Sequence, residues 1–301
     1  MVDVKGRKES FMPSVIALIV LVICFVLYNL FENKNLATTN YLIEQSQVPE
    51  EFSGMRFVCL SDLHLNQFGK GNKKLIKQIH ACNPDAILIA GDMITISRVK
   101  NAKVAMDLLQ ELSKDYVIYY APGNHEYRWE SYPKYDNQSF IEYKKRLENS
   151  GIQYLNNSDV TIKKGNALLQ IVGLNLNMDY YNKGGKPKQL TKDTLQSLIH
   201  HKDSKAYTIL LAHVPDYFEQ YVEWGAELVL SGHNHGGMIR LGKLGGVISP
   251  RYELFPKYDS GVYKKNGSVM LLSRGLGTHT IPIRMFNRPE LICFQIKKKC
   301  K

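Results

Sequence analysis

The chain has 301 residues, 44% of them hydrophobic and 22% charged, with a net charge of +11. That balance excludes a disordered or low-complexity polymer and calls for a globular body of one large domain or two small ones. The cysteines number five, an odd count with no CxxC pair, which implies neither a disulfide framework nor a zinc knuckle. The basic excess admits phosphate-rich or anionic-membrane partners without naming one.

Residues 1–10 are polar and carry Lys5, Arg7 and Lys8. No charge appears from Phe11 to Phe31, a length that fits one membrane-spanning helix of about 20 apolar residues. A cleaved signal peptide is the competing reading, but its apolar core is shorter and ends in a small-x-small site, which does not follow Leu30. Residues 11–31 are therefore read as an uncleaved anchor. Three cations precede the span and Lys34 alone follows it closely, so the positive-inside rule puts the N-terminus in the cytoplasm and the body outside, on a single-pass cell-membrane protein. Residues 32–54 read as a juxtamembrane connector with Tyr41–Ile43 as an entry strand; extended, they would reach at most about 80 Å. Residues 55–296 form the body. Residues 297–301 are a tail in which Lys297, Lys298, Lys299 and Lys301 are solvated.

Within the body, Met55 to Leu60 is a predicted strand that runs into Asp62-Leu63-His64, with Cys59 in the core. A helix over Lys73–Ala81 follows, and then the apolar strand Ala86 to Ala90, ending at Gly91-Asp92. An amphipathic stretch covers Ala102 to Leu112. The strand Tyr116 to Tyr120 leads to Gly123-Asn124-His125-Glu126, and a helix is predicted over Ser139–Asn149. Val160 to Lys163 and Leu168 to Leu174 read as strands of a second sheet. Leu190 to His200 reads as a helix, with His200 and His201 as surface residues at its end. Tyr207 to Ala212 is a strand ending at His213. Leu228 to Leu230 is another, and it stops at Ser231-Gly232 before His233-Asn234-His235-Gly236-Gly237. Val262 to Tyr263, Val269 to Leu272 and Leu291 to Ile296 complete the strands. Strands alternating with helices predict an α/β layered body.

Polar residues thus gather at the C-terminal ends of successive strands: Asp62 and His64, Asp92, Asn124 and His125, His213, and His233 and His235. Open α/β sheets collect ligands at that end. Each residue alone reads equally well as a satisfied polar turn; the joint pattern is what points to a site. Residues at i and i+2 on an extended turn can aim at one point. Carboxylate, amide and imidazole without thiolate suit divalent metals such as Mn, Fe or Zn.

The order Asp-x-His, Gly-Asp, Gly-Asn-His-Glu, His, Gly-His-x-His resembles the signature of the calcineurin-like metallophosphoesterases, from about Met55 to Glu290. Ser273-Arg274-Gly275-Leu276-Gly277, Pro282-Ile283-Arg284 and Arg288-Pro289-Glu290 are similar to the bacterial membrane-linked branch of YkuE- and YaeI-type phosphodiesterases. That branch is itself similar to enzymes that cleave a UDP-linked diacylglucosamine lipid precursor. The resemblance implies two facing mixed β-sheets flanked by helices, a four-layer sandwich, here preceded by the N-terminal helix. It implies that Asp62, His64 and His235 hold a first metal, that Asn124, His213 and His233 hold a second, and that Asp92 bridges the two. His125 would face the leaving oxygen as a catalytic residue and not as a ligand. Where many relatives have glutamine after His235-Gly236-Gly237, this chain has Met238.

The chemistry expected of such a pair is hydrolysis of a phosphodiester or pyrophosphate. Two cations share a water, lower its pKa to supply hydroxide, and neutralise charge on phosphorus. Glu126 reads either as an orienter of His125 or as half of a surface salt bridge, and His279 either as an ordinarily packed loop residue or as one that reaches the substrate. The tether to a bilayer favours a lipid-linked or cell-envelope substrate over a soluble one. The alternatives are a broad-specificity phosphodiesterase, a nuclease and an inactive scaffold. Against a nuclease, the lysines form no aromatic-interleaved patch. Against a scaffold, every ligand position is filled. The sequence names no protein partner.

Overall fold

The computed structural model describes residues 4–181, 188–200, 202–249, 252–278 and 282–299, with side chains from residue 13 onward. His201, His279 and Cys300 lie outside the described residues. The chain opens with helix α1 (Val4–Lys34), which includes the apolar stretch Pro13–Lys34, 22 residues at a mean hydropathy of 2.8. Most of that stretch is exposed, as befits a helix whose apolar side chains are to be covered by something other than this chain.

Two six-stranded sheets form the body. The first runs β1 (Ala37–Gln45), β12 (Glu290–Lys298), β2 (Arg56–Leu60), β3 (Ala86–Ala90), β4 (Val117–Ala121), β5 (Gln153–Tyr154). The second runs β10 (Gly261–Lys265), β11 (Ser268–Leu272), β9 (Leu228–Ser231), β8 (Ala206–Ala212), β7 (Ala167–Leu174), β6 (Ser158–Lys164). Both are mixed. β2, β3, β4 and β5 run parallel, as do β7, β8, β9 and β11, while β6 and β10 are antiparallel additions and β12 runs against β2. The central strands read Ala-Ile-Leu-Ile-Ala and Ala-Tyr-Thr-Ile-Leu-Leu-Ala and are buried along their whole length. Such continuous apolar runs mark parallel strands covered on both faces.

Alternate residues of each strand face opposite ways, and three cores result. Phe57, Cys59, Leu88 and Phe294 of the first sheet meet Leu169, Ile209, Leu230 and Leu271 of the second, so the sheets face each other. Val58, Leu60, Ile87 and Ile89 pack outward against Leu75 of α2 (Lys73–Cys82), Leu109 of α3 (Lys103–Leu112) and Leu147 of α5 (Asn137–Asn149). Leu210 and Val229 pack outward against Leu195 of α6 (Lys192–Ile199) and Phe218 and Trp224 of α7 (Phe218–Trp224). The expected four layers, helix, sheet, sheet and helix, are present. Two helices were not expected: α7, and α4 (Asn124–Ser131), which begins on the Gly-Asn-His-Glu motif.

The cysteine count implied no disulfide framework, and a single bond, Cys82 at the end of α2 to Cys293 on β12, is found among the described residues. A count of cysteines says nothing about which pair topology brings together, and here it joins residues 211 apart. The entry strand expected at Tyr41–Ile43 lies within the longer β1. Only Asn35 and Leu36 separate α1 from β1. Because β1 is parallel to β12 and β12 antiparallel to β2, β1 starts at the end of the sheet where β2, β3 and β4 finish. The apolar helix therefore ends beside the loops that carry Asp62, Asp92 and Asn124.

Candidate metal centre

The structure brings together all the predicted ligands whose side-chain contacts it records. Asp62 Oδ1 lies 3.3 Å from Nε2 of His235 and 3.8 Å from Nε2 of both His64 and His213. Asp92 Oδ2 lies 3.2 Å from His213 Nε2 and 3.9 Å from His64 and His125 Nε2. The His233 ring stands at 5.3 Å from the His213 ring, edge to face. Among the described residues, three groupings could hold a cation: Asp62, His64 and His235; Asp62, Asp92 and His213; and His64, Asp92 and His125. All the residues named are buried.

The backbone is bent sharply to achieve this. Asp62, His64, Asp92, His233 and His235 all adopt positive φ, between 48° and 69°. Non-glycine residues avoid that region, and such strain is held only where the surroundings over-determine it. The surroundings here are loop-to-loop hydrogen bonds. Asp62 N donates to Gly91 O at 3.0 Å, His64 N to Asp92 O at 3.1 Å, Gly232 N to His213 O at 3.1 Å, and Gly277 N to Asp62 O at 2.6 Å. At Gly232 a Cβ would collide with the Ser61 hydroxyl and the Asp62 carboxylate, so no larger residue lets the His233–His235 loop come this close. Asp62 also accepts from Ser61 Oγ and from His233 N, which fixes both its oxygens.

Hydrogen-bond polarity separates the imidazoles. His213 Nδ1 lies 2.6 Å from Ala90 O, His235 Nδ1 3.1 Å from Gly277 O, and His64 Nδ1 3.3 Å from Ile94 O and 3.1 Å from Thr95 Oγ1. A carbonyl only accepts, so each Nδ1 carries a hydrogen and each Nε2 presents a lone pair. This is the second-shell arrangement that orients ligating histidines. The consequence is an otherwise repulsive centre. His64 Nε2 and His235 Nε2 face each other at 3.1 Å. His213 Nε2 is a buried atom without a hydrogen-bond partner that nevertheless sits 3.2 Å from a carboxylate oxygen. Asn124 Oδ1 is likewise buried without a hydrogen-bond partner. A cluster of inward lone pairs on two carboxylates, an amide and imidazoles fits divalent cations by ligand type and by direction. Without cations, burial works against charge on His213, but Asp92 and Asp62 outweigh it and its pKa is pushed up to about 10. A proton then occupies the Nε2 position that a metal would take.

His125 has the opposite polarity. Its Nδ1 accepts from Ile96 N at 2.9 Å, so its hydrogen lies on Nε2. A ring whose Nδ1 already accepts from an N–H would have to become an imidazolate to give Nε2 to a metal as well. That polarity sets His125 apart from the other three rings, even though it lies within ligand distance of Asp92.

Sequence reasoning missed three features. Glu126 is no surface residue: it is fully buried and does not orient the His125 ring. Its Oε2 accepts from Asp92 N at 3.0 Å and Gly123 N at 2.9 Å, and its Oε1 from Ile94 N at 3.2 Å and the Tyr120 hydroxyl at 2.7 Å. Burial, and then the charge of Asp92, push its pKa up to about 7. The signal was present in the sequence, since Gly123 and Glu126 have the spacing of a helix N-cap and its N3 acid. The second feature is Tyr181, a buried ring 5.3 Å from His233 and 6.2 Å from His213, which lies in a stretch without motifs. The third is Arg284, 1% exposed, whose guanidinium donates to the carbonyls of Asn287, Arg274, Gly275 and Gly277. Burial lowers its pKa to about 10, which leaves it charged at neutral pH. Gly277 O is the same carbonyl that receives His235 Nδ1–H.

A family profile described as calcineurin-like phosphoesterase matches residues 55–237. The chain is 26% identical over 264 residues to the uncharacterized metallophosphoesterase YkuE of Bacillus subtilis, covering 86% of this chain and 85% of that one. It is 25% identical over 299 residues to the UDP-2,3-diacylglucosamine pyrophosphatase LpxG of Chlamydia muridarum, covering 81% and 85%. It is 28% identical over 305 residues to a transmembrane protein with metallophosphoesterase domain from Danio rerio, covering 96% of this chain but 64% of that one.

Proposed function

The chain belongs to the calcineurin-like phosphoesterase family, a metal-dependent phosphoric ester hydrolase with a dinuclear divalent centre, and on that premise we propose that it is a membrane-anchored enzyme cleaving a lipid-linked phosphodiester or pyrophosphate. The observation that carries the site assignment is the hydrogen-bond polarity: three imidazoles bonded through Nδ1, with their Nε2 lone pairs turned toward Asp62 and Asp92. In this reading Asp62, His64 and His235 hold one cation, Asn124, His213 and His233 the other, and Asp92 both. Bound there, divalent cations would supply a water of lowered pKa and neutralise charge on the phosphate.

The chain's own residues do the rest. Ser61 Oγ and His233 N hold the Asp62 carboxylate, and Asp92 Oδ1 accepts from His125 N at 2.9 Å, leaving Oδ2 for the centre. His125 presents an Nε2–H to the departing oxygen. With Ile96 N–H occupying Nδ1, the ring acts as a fixed neutral donor that stabilises developing negative charge, as an oxyanion-hole donor does.

The membrane placement is supported by the apolar helix α1 and by the transmembrane relative, and the body is assigned to the extracytoplasmic side. The Cys82–Cys293 disulfide supports that side, because disulfides persist in oxidising compartments. The LpxG relative, which by its name acts on a lipid-linked pyrophosphate, supports the substrate class. The two-residue link from α1 to β1 supports it independently, because it holds the ligand loops at the bilayer surface. The test uses the full chain in vesicles, stripped of metal and reloaded with Mn. Hydrolysis of a vesicle-borne UDP-linked diacylated sugar and of soluble bis-p-nitrophenyl phosphate should both return with metal, and the vesicle-borne substrate should turn over faster. Activity untouched by chelation would overturn the metal centre. Preference for the soluble diester would overturn the lipid-linked class.

A further inference from the structure

The end of α1 is bonded into the body. Phe286 N donates to the Tyr28 hydroxyl at 3.1 Å, Arg284 N to Asn29 Oδ1 at 2.9 Å, and Asn287 N to Glu32 Oε1 at 2.9 Å. The Tyr28 and Phe286 rings are in contact at 5.8 Å. Lys34 Nζ reaches Asn66 Oδ1 at 2.8 Å, two residues past His64. From this junction a small ladder runs sideways. Arg240 N donates to Met285 O, Met285 N to Met238 O, Val247 N to Ile239 O, and Phe255 N to Val247 O. Residues 238–249 and 252–255 thus belong to a flap that starts directly after the His233–Gly237 loop and is hydrogen-bonded to Met285, beside the residues that bond the foot of α1.

The flap and its neighbour Phe286 break the usual burial rule. Leu241, Leu244, Leu254, Phe255 and Phe286 are between 45% and 69% exposed. Isolated exposed leucines mean little, but five large apolar side chains on one hydrogen-bonded unit mark an interaction surface. We propose that this flap is a second membrane contact, a monotopic platform that dips into the headgroup region of the same bilayer that α1 crosses. Continuity identifies the occupant. Phe286 touches Tyr28 within the apolar stretch Pro13–Lys34, so the first platform residue already stands at the level where the span ends. Lys243, exposed between Leu241 and Leu244, suits an anionic headgroup. Amphipathic segments of this kind bury their apolar side chains a few ångströms into the interface. Because the flap is rooted at Gly237, it places the bilayer surface against the metal-ligand loop and lets a lipid-borne phosphate enter from the side.

The inference rests on α1 lying in a bilayer, and its test separates the two. The chain has two tryptophans, Trp129 and Trp224, at 2% and 6% exposure. A Leu244→Trp variant of the full chain is reconstituted into vesicles whose acyl chains carry bromine, which quenches only tryptophans immersed among them. Val117→Trp, at the opposite, N-terminal end of β4, is the comparison. The platform predicts loss of most of the emission added at residue 244 and none of that added at residue 117. Co-flotation with the vesicles and unquenched emission at 244 overturns the platform and leaves the anchor standing. Failure to float overturns both. Equal quenching at both positions shows unspecific adhesion and also overturns it. As a functional readout, Leu241→Ser, Leu244→Ser and Phe255→Ser together should lower turnover of vesicle-borne substrate and spare the soluble diester. Equal losses on the two, or none, would count against the platform.

Discussion

Replacing Glu126 with glutamine tests whether the ligand loops are held by one buried carboxylate. The four donors around it, Asp92 N, Gly123 N, Ile94 N and the Tyr120 hydroxyl, divide evenly between its two oxygens. A glutamine keeps one oxygen and turns an NH2 toward the other pair. The less costly orientation puts that NH2 on the Oε1 side, because the Tyr120 hydroxyl can reverse and accept, whereas Ile94 N–H cannot. One buried backbone N–H then loses its partner, at about 1–3 kcal/mol. At about 2–4 °C per kcal/mol for a domain of this size, Glu126→Gln should lower the melting temperature of the metal-free, detergent-solubilised chain by about 2–12 °C. At a pH above about 7, where Glu126 is ionised, Tyr120→Phe should destabilise the wild type by removing a donor to a charged acceptor, about 1.5–3 kcal/mol. In the Glu126→Gln background it should cost more if the hydroxyl has become the sole acceptor for the amide, and that coupling is read from a double-mutant cycle. A Glu126→Gln protein that melts with the wild type, and shows no coupling to Tyr120, would refute the account of Glu126 as the tie between the β3 and β4 loops.

Asp92→Ala should abolish hydrolysis and reduce bound metal to one equivalent or less, measured by elemental analysis of the purified chain; two equivalents with normal turnover would end the dinuclear assignment. His125→Ala should retain its metal while slowing turnover by about 10²–10³-fold, the loss seen when one preorganised donor to a developing oxyanion is removed. That deficit should narrow for p-nitrophenolate, which needs little stabilisation, and a constant deficit across leaving groups would argue against contact with the departing oxygen. Cys82→Ser should cost about 2–4 kcal/mol by freeing the long unfolded loop that the disulfide closes, seen as a lower midpoint in denaturant; an unchanged midpoint under non-reducing conditions would mean the bond does not form.

The layered fold and the ligand loops were legible because each signal was local. A buried strand such as Ala86–Ala90 announces itself by its apolar run, and the turn after it by Gly91-Asp92. What failed was whatever depended on residues far apart in the chain. The odd cysteine count could not show that α2 ends over β12. Within residues 32–54 the entry strand Tyr41–Ile43 was legible, but its full extent and its edge position are fixed only by β12, more than 250 positions later. Glu126 looked like a surface acid because two of its four partners, Asp92 N and Ile94 N, come from the loop after β3, more than 30 positions earlier. α4 was overlooked because its Asn-His-Glu start reads first as chemistry and only then as a capped helix. His235 Nε2 and His233 N both meet the Asp62 carboxylate, and the Gly277 carbonyl that turns the His235 lone pair inward comes from another loop.

The position of β12 also bears on how the protein is made. This strand, residues 290–298, lies between β1 and β2, which begin the body. Until residues 290–298 arrive, those two strands have no shared neighbour, and both present unpaired backbone edges of the kind that invite aggregation. The first sheet cannot close before then, and a nascent body with open edges has to be kept soluble in the meantime. Losing residues 290–298 would remove an interior strand of a sheet and not a frayed end.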